Sequence, residues 1–292
     1  MSVVETLASP ARRSKRRLRL PGSLQSAFWW LASVGLFAGI WELCWYFGWL
    51  NPMLMPPPHM FLQDFLAQGR FFDRATRMGN PSAYRIASTV AAVVAASAMR
   101  VLVGLAVAFV ASLAVGLLVR YTRWVARLVV PVVQLLAPVS PVAWLPVALL
   151  LFGVGDLPAI FMVFIALFFI MTLATVSLVD AVPARYLQVA RNLGASRSQV
   201  FLRVILPAIL PGLFLVLRLN LFAAWMVVLI AEAVGVGGGL GLVVMMAKNT
   251  FDARLAFFTM AVIGVVGFGL DVLLRQIQRR ALYWMPAGGI PR

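Results

Sequence analysis

Few side chains in this 292-residue sequence could carry out covalent or proton-transfer chemistry. The chain has one histidine, His59, one cysteine, Cys44, and only nine acidic residues. A metal site built on His59 would lack nitrogen and sulfur partners, so we interpret His59 as a loop residue. Cys44 has no second cysteine with which to form an intrachain disulfide. Because no acid–base, nucleophilic or metal-binding set can be assembled, the sequence argues against an enzyme.

Two charged residues, Arg218 and Glu232, lie in or at the end of the fifth apolar segment. Charges inside a membrane are costly and usually face a pathway or each other. These two are separated by about 21 Å along a helix, so they cannot pair within it. Arg218 either serves an anion pathway or bonds to neighbouring carbonyls, and both interpretations stay open. We expect Glu232 at the outer end of its helix, where water solvates it.

A glycine-rich run, Gly235–Gly241, has a composition similar to that of a phosphate-binding loop. It follows no predicted strand and contains no Gly-Lys-Ser/Thr, so we predict a flexible turn before a re-entrant or gating segment. No Walker motif occurs elsewhere in the sequence. We therefore expect this chain to carry no cofactor and no metal, and any ATP to bind to another chain.

The composition is that of a membrane protein. Hydrophobic residues make up 63% of the chain and charged residues 12%, and the mean hydropathy is +0.96. A soluble domain carries about 25% charged residues, so most of this apolar surface must face lipid. We predict an all-α, polytopic protein with about six transmembrane helices, because a span needs about 20 apolar residues. The predicted spans are 28–50, 98–119, 128–151, 158–179, 204–231 and 255–274.

Two stretches outside these spans are less clear. Segment 86–99 either lengthens the second span or forms a separate helix. Segment 51–85 is more polar, and its apolar residues from Phe61 to Leu66 predict a short amphipathic helix at the interface. The apolar stretch from Phe28 to Leu50 is too long for a signal peptide, so we interpret it as an uncleaved first span.

The net charge of +16 sets orientation and does not indicate nucleic acid, because the basic residues cluster at the ends of apolar runs. With the N-terminus inside, cytoplasmic segments hold 17 of the 25 Lys and Arg residues and outer segments hold 6. The predicted organisation is a basic cytoplasmic tail over 1–27, one membrane domain over 28–276 and a cytoplasmic tail over 277–292.

The third predicted span contains four prolines: Pro131, Pro138, Pro141 and Pro146. Proline removes backbone hydrogen bonds, which membranes tolerate only where protein or a watery cavity replaces them. The segment is either a kinked, pore-lining helix or a kink that aids packing. The candidate translocation-path residues are Pro138, Ser140, Pro141, Trp144, Arg218, Trp225 and Glu232.

The loop over 180–203 has the clearest local pattern. Pro183 suits the first turn of a helix, and Gly194 suits a left-handed residue at a helix C-terminus. Ser196 followed by Gln199 predicts a capping box that opens a new helix. The apolar face of the intervening helix consists of Tyr186, Leu187, Ala190 and Leu193. Such a helix either lies on lipid or docks on a partner.

This loop resembles the cytoplasmic motif of ABC importer permeases, in which Glu-Ala-Ala is followed by Gly and then by Ile-x-Leu-Pro. Here the motif stands as Gln188-Val189-Ala190, Gly194 and Ile205-Leu206-Pro207. Gln188 and Val189 depart from it, since a neutral Gln cannot pair with a cation as a carboxylate would. Further stretches resemble the nitrate/sulfonate/taurine/bicarbonate branch: Trp41-Glu42-Leu43, Pro56–Pro58, Arg100–Gly104, Pro138–Pro146 and Phe152–Gly155. The likeness covers roughly 28–285.

The resemblance implies a type I ABC importer permease fold and the partners of that family. They are two ABC ATPase subunits that hold ATP and Mg, a second permease copy in a homodimer, and a periplasmic or lipid-anchored solute-binding protein. It also implies a bacterial inner membrane and a small, anionic cargo such as nitrate, bicarbonate, a sulfonate or another organic acid. The implied ATPase-coupling residues are Tyr186, Leu187, Gln188, Val189, Ala190, Leu193, Gly194, Ala195 and Ser196.

A self-contained secondary transporter or channel is the alternative function. That class would show inverted repeats and charged relay residues at mid-membrane, and we find neither in the sequence.

Overall fold

The computed structural model describes residues 22–79 and 82–284, and every regular element in these ranges is helical. Most of the predicted N-terminal tail and the end of the C-terminal tail lie outside the described residues. The chain divides into two compact units, residues 1–52 and residues 53–292.

The first unit contains α1 (Gly22–Tyr46), a helix of 25 residues. Its sequence is apolar on nearly every side, which is the pattern of a helix surrounded by lipid. The helix ends at Tyr46, and Gly48 follows it with a φ of +73°, in the left-handed region that favours glycine. This element matches the first predicted span.

The second unit opens with short helices: α2 (Pro58–Gln63), α3 (Phe65–Gly69), a 3₁₀ turn (Arg70–Phe72) and α4 (Arg74–Met78). The short helix predicted near Phe61–Leu66 therefore exists as two pieces that meet at Asp64. Its aromatic side chains pack on the last long helix. The ring of Phe61 stacks on that of Phe257, with 6.1 Å between centroids.

Helix α5 (Ala83–Tyr121) runs unbroken for 39 residues, so segment 86–99 lengthens the second span. It packs closely along α8 (Asp156–Asp180) because two glycines of α5 leave room for side chains of α8. A Cβ on Gly104 would lie 2.6 Å from Val163, and a Cβ on Gly116 would lie 2.6 Å from Thr175. Contacts in this order mean that α5 and α8 run parallel.

The third predicted span is not one kinked helix. It forms α6 (Arg123–Leu136) and, after a turn, a 3₁₀ segment (Pro141–Trp144) that continues into α7 (Leu145–Phe152). The two parts meet at 102°. Pro138 lies in the turn between the two parts, and Pro141 begins the 3₁₀ segment that follows it. Because neither has a backbone N–H to donate a helical hydrogen bond, the helix is interrupted there. Since α5 and α8 run parallel, the chain between them must still return from one end of the pair to the other.

The remaining helices are α9 (Ala184–Asn192), α10 (Arg197–Val200), α11 (Leu206–Ala231), α12 (Leu240–Thr250) and α13 (Ala253–Ala281). Two π-helical segments, Phe201–Ile205 and Glu232–Val236, extend α11 at both ends. As a result, the fifth span is one helical stretch of 40 residues over 197–236, longer than predicted. Within the described ranges, five helices are long and apolar enough to cross a membrane, or six with the bent pair.

Candidate functional site

The loop between α8 and α10 has the local geometry that the sequence predicts. Helix α9 ends at Asn192, and Gly194 follows two residues later with a φ of +77°. The amide of Gly194 donates to the carbonyl of Arg191 (2.9 Å), and that of Ala195 donates to the carbonyl of Ala190 (3.0 Å). Ser196 and Gln199 then form the predicted capping box, with both reciprocal bonds present. The loop is therefore a short helix, a tight glycine turn and a firmly capped new helix.

The predicted apolar face of α9 is divided between two directions. Leu187 and Ala190 pack inward, against a cluster that contains the buried residues Val179 and Ile205. Tyr186, Val189 and Leu193 remain exposed, and Leu193 is 81% exposed. Only Tyr186 and Leu193 of the predicted face are therefore available to a partner, together with Val189. Gln188 and Ser196 are also exposed beside them.

At the opposite end of the α5–α8 pair, Glu232 is completely buried. Its carboxylate lies 2.6 Å from the guanidinium of Arg100 on α5. Arg100 also contacts the carboxylate of Asp156, the first residue of α8, at 2.7 Å. The prediction of a water-solvated Glu232 is therefore wrong. Arg100 neutralises this carboxylate inside the protein and takes the place of water.

The carboxylate of Glu232 also holds the first residues of α12. It accepts a hydrogen bond from the amide of Gly241 (3.0 Å), while the hydroxyl of Ser97 accepts one from the amide of Leu240 (3.2 Å). These bonds satisfy two backbone donors that a helix start leaves without partners. A Cβ on Gly241 would collide with the carbonyl oxygen of Leu229, so this close approach requires glycine. The glycine-rich run thus packs directly on the buried ion pair.

Trp144, on the proline-rich segment, lies near the same end of α11. It packs against a buried cluster that includes Val227 and Ala231. Among the described residues, its indole N–H is buried without a hydrogen-bond partner, and the same holds for Trp225. Pro138 and Ser140 are exposed in the turn before Pro141. The structure therefore brings Trp144 close to the end of α11 that carries Glu232.

Arg218 lies apart from this group, on the side of α11 that faces α13. Its guanidinium Nε lies 2.8 Å from Asp271 Oδ1. The other oxygen of Asp271 accepts from Arg275, one helical turn further along α13. Arg218 thus bonds to a carboxylate, a partner that the sequence interpretation did not consider. A single buried carboxylate is shared by two arginines.

Sequence reasoning missed two partners, Arg100 and Asp271. Both lie inside predicted spans, and a charge at such a depth marks a functional or structural site by default. That signal was available in the sequence. The pairing was not, because Arg100 and Glu232 are 132 residues apart in the chain.

The sequence of this chain is also similar to those of known proteins. Residues 101–283 match the family model of the binding-protein-dependent transport system inner membrane component. The chain is 30% identical to the taurine transport system permease protein TauC of Escherichia coli (strain K12), over 80% of this chain and 82% of TauC. It is 33% identical to the nitrate import permease protein NrtB of Leptolyngbya laminosa, over 65% of this chain and 68% of NrtB.

The fold is also similar to that of a solved transporter structure. The MetNI methionine ABC transporter in inward-facing conformations gives a TM-score of 0.57 at 19% identity, covering 65% of this chain and 95% of the matched chain. The chain is a multi-pass membrane protein with the type I importer permease fold. From the matched family model and the taurine and nitrate relatives, this protein belongs to the family of binding-protein-dependent transport system inner membrane components, the permeases of ABC importers.

Proposed function

We propose that this chain forms the translocation path of an ATP-driven importer for a small anionic solute and is driven by separate ATPase subunits through the loop over 180–203. The observation that carries the proposal is the outward surface of α9, formed by Tyr186, Val189 and Leu193 beside the Gly194 turn. Large apolar side chains on a predicted cytoplasmic surface favour a protein partner. The sequence has no nucleotide-binding motif of its own, so the energy must come from that partner.

The packing behind α9 supplies a route for the motion. Leu187 and Ala190 pack on a cluster that joins the end of α8 to the start of α11. A push on α9 would therefore move both long helices together. Helix α8 is tied to α5 at its two ends, by the pairs Asp156–Arg100 and Asp180–Arg120. We propose that these helices move as one body when ATP closes the ATPase dimer.

The remaining partners follow from the family. We propose two ATPase subunits that hold ATP and Mg, a second copy of this permease, and a periplasmic or lipid-anchored solute-binding protein. The membrane would be a bacterial inner membrane, with both termini in the cytoplasm, as the distribution of Lys and Arg favours. A small anion is the proposed cargo, because the relatives named for taurine and nitrate suggest it.

Co-purification with a matched pair of variants tests the proposed coupling. In native membranes, the tagged chain should bring an ABC ATPase with it. Leu193→Arg should lose that ATPase, because a charge would then stand in the centre of the docking surface. Leu54→Arg is the control, since Leu54 is also highly exposed (75%) but lies between α1 and α2.

Two results would contradict the proposal. One is recovery of the ATPase with Leu193→Arg at the level of the unmodified chain. The other is solute uptake by the purified chain alone in vesicles without ATP, which would favour a secondary transporter or channel.

A further inference from the structure

A groove of about 890 Å³ lies behind the loop over 180–203, which we call the coupling loop, between the last turns of α5 and the start of the long helix over 197–236. Its size is within the range of about 300–1,000 Å³ typical of ligand pockets. Its deep wall is apolar and includes Leu117, Leu187 and Ile205. The groove lies inward of α9, on the side away from the surface that we propose for the ATPase.

The rim of this groove is strongly basic. Arg120, Arg191 and Arg197 line it, together with the polar groups of Tyr121 and Ser198. No acidic residue is among the lining residues. Arg120 has a carboxylate partner, since its guanidinium pairs with Asp180. For Arg191 and Arg197, no ion pair with a carboxylate occurs in the part of the chain that the structure describes.

The groove lies at the level where two predicted membrane helices end. Asp180 ends α8, and its partner Arg120 lies one residue before the end of α5, so this level marks the end of two membrane helices. Leu118 and Leu202 line the same groove and are more than half exposed. These apolar side chains would contact acyl chains, and the arginines at the rim would contact a phosphate. The groove therefore complements the two parts of a phospholipid.

We propose that this groove is a binding site for one anionic phospholipid of the inner leaflet. The phosphate would lie among Arg191, Arg197 and Ser198, and the acyl chains would cover Leu118 and Leu202. Because the rim includes residues of α5 and of the coupling loop, the bound lipid would bridge these two elements. The proposal goes beyond the importer function, since lipid binding needs neither ATP nor a transported solute.

The binding test uses the purified full chain, delipidated in detergent and titrated with dioleoyl phosphatidylglycerol or dioleoyl phosphatidylcholine. Native mass spectrometry counts the lipids retained on each chain. We expect one phosphatidylglycerol at saturation and far weaker retention of phosphatidylcholine. Each arginine at an anionic lipid surface contributes roughly a fivefold gain in affinity, so Arg191→Gln/Arg197→Gln should raise the Kd about 25-fold.

The matched control is Arg279→Gln/Arg280→Gln, which removes the same charge from two exposed arginines at the end of α13. Its Kd for phosphatidylglycerol should stay within about a factor of two of the unmodified chain, because neither arginine lines the groove. Equal binding of the two lipids, or equal loss in the two double variants, would overturn the proposal.

A crosslinking experiment in native membranes distinguishes lipid from a protein occupant. A photoreactive residue in place of Leu118 should capture phospholipid. Capture of the ATPase or of a second permease copy at this position would overturn the lipid assignment. The mass-spectrometry and crosslinking results are both independent of the co-purification test, because neither requires ATP hydrolysis or transport. The lipid site could therefore be refuted while the proposed importer function holds, and the reverse.

Discussion

The guanidinium of Arg100 and the carboxylate of Glu232 form an ion pair of 2.6 Å at a site where Glu232 has no solvent exposure. The pair joins α5 to the end of α11, and Glu232 also binds the first turn of α12 through Gly241. Three helices therefore depend on one carboxylate. This arrangement makes Glu232 a structural centre at the end of the protein opposite the coupling loop.

Removing the charge of Glu232 should destabilise the protein strongly. In Glu232→Gln, Arg100 would lose its buried partner, and breaking a buried pair costs about 3 kcal/mol or more. The matched variant is Asp156→Asn, which removes the other, 67% exposed partner of Arg100. An exposed pair contributes at most about 1 kcal/mol. Thermal unfolding in detergent measures the stability of both variants. Equal losses of stability would contradict the central role of Glu232.

A methyl group at Gly241 should separate α12 from the end of α11. Gly241→Ala would press against the carbonyl of Leu229, and overpacking of this kind costs about 1–3 kcal/mol. Gly264→Ala in α13 is the control, because a Cβ there meets nothing within 4 Å. That variant should be neutral or slightly stabilising, since alanine is a better helix former than glycine. The melting temperatures of the two variants are compared in detergent. Similar melting temperatures would refute the prediction that Gly241 is required for the close approach of α12.

Substitution of Gly194 should act through the backbone alone. A Cβ at this position meets nothing within 4 Å, but its φ of +77° disfavours most side chains. Gly194→Val should strain the turn by about 1–2 kcal/mol, whereas Gly194→Asn should be tolerated better. If α9 couples to an ATPase, the Val variant should insert normally but lose solute-stimulated ATP hydrolysis. Coupled hydrolysis that survived Gly194→Val would count against the importance of this turn.

The carboxylate shared by Arg218 and Arg275 gives a fourth prediction. Asp271→Asn should leave Arg218, inside a span, and Arg275, just beyond the end of one, without a counter-charge, and we expect a loss of about 3 kcal/mol. Arg275→Gln removes only the more exposed arginine and should cost at most about 1 kcal/mol. Unfolding in mixed micelles with increasing denaturing detergent measures the difference. Similar unfolding midpoints for the two variants would show that Asp271 contributes no more to stability than the exposed Arg275.

Local features of the coupling loop could be predicted from sequence because they depend on neighbouring residues. Gly194 and the Ser196–Gln199 capping box act within a few residues, and the structure confirms both. Pro183 stands one residue earlier than predicted, as the N-cap of α9 and not in its first turn. Five of the six predicted spans likewise correspond to long helices, because about 20 apolar residues need only lipid around them. The third predicted span is instead divided into α6 and α7, and two π-helical segments extend the ends of the fifth.

Tertiary structure decided which residues meet. The sequence alone determined that Arg100 and Arg218 are charges inside spans and that Glu232 lies at the end of one, but their ion-pair partners depend on which helices lie side by side. It also determined that prolines interrupt the third span, whereas the 102° break depends on how that segment connects two parallel helices. Local composition fixes the cost of burying a charge or a proline, and only the packing of distant segments supplies the partner that offsets this cost.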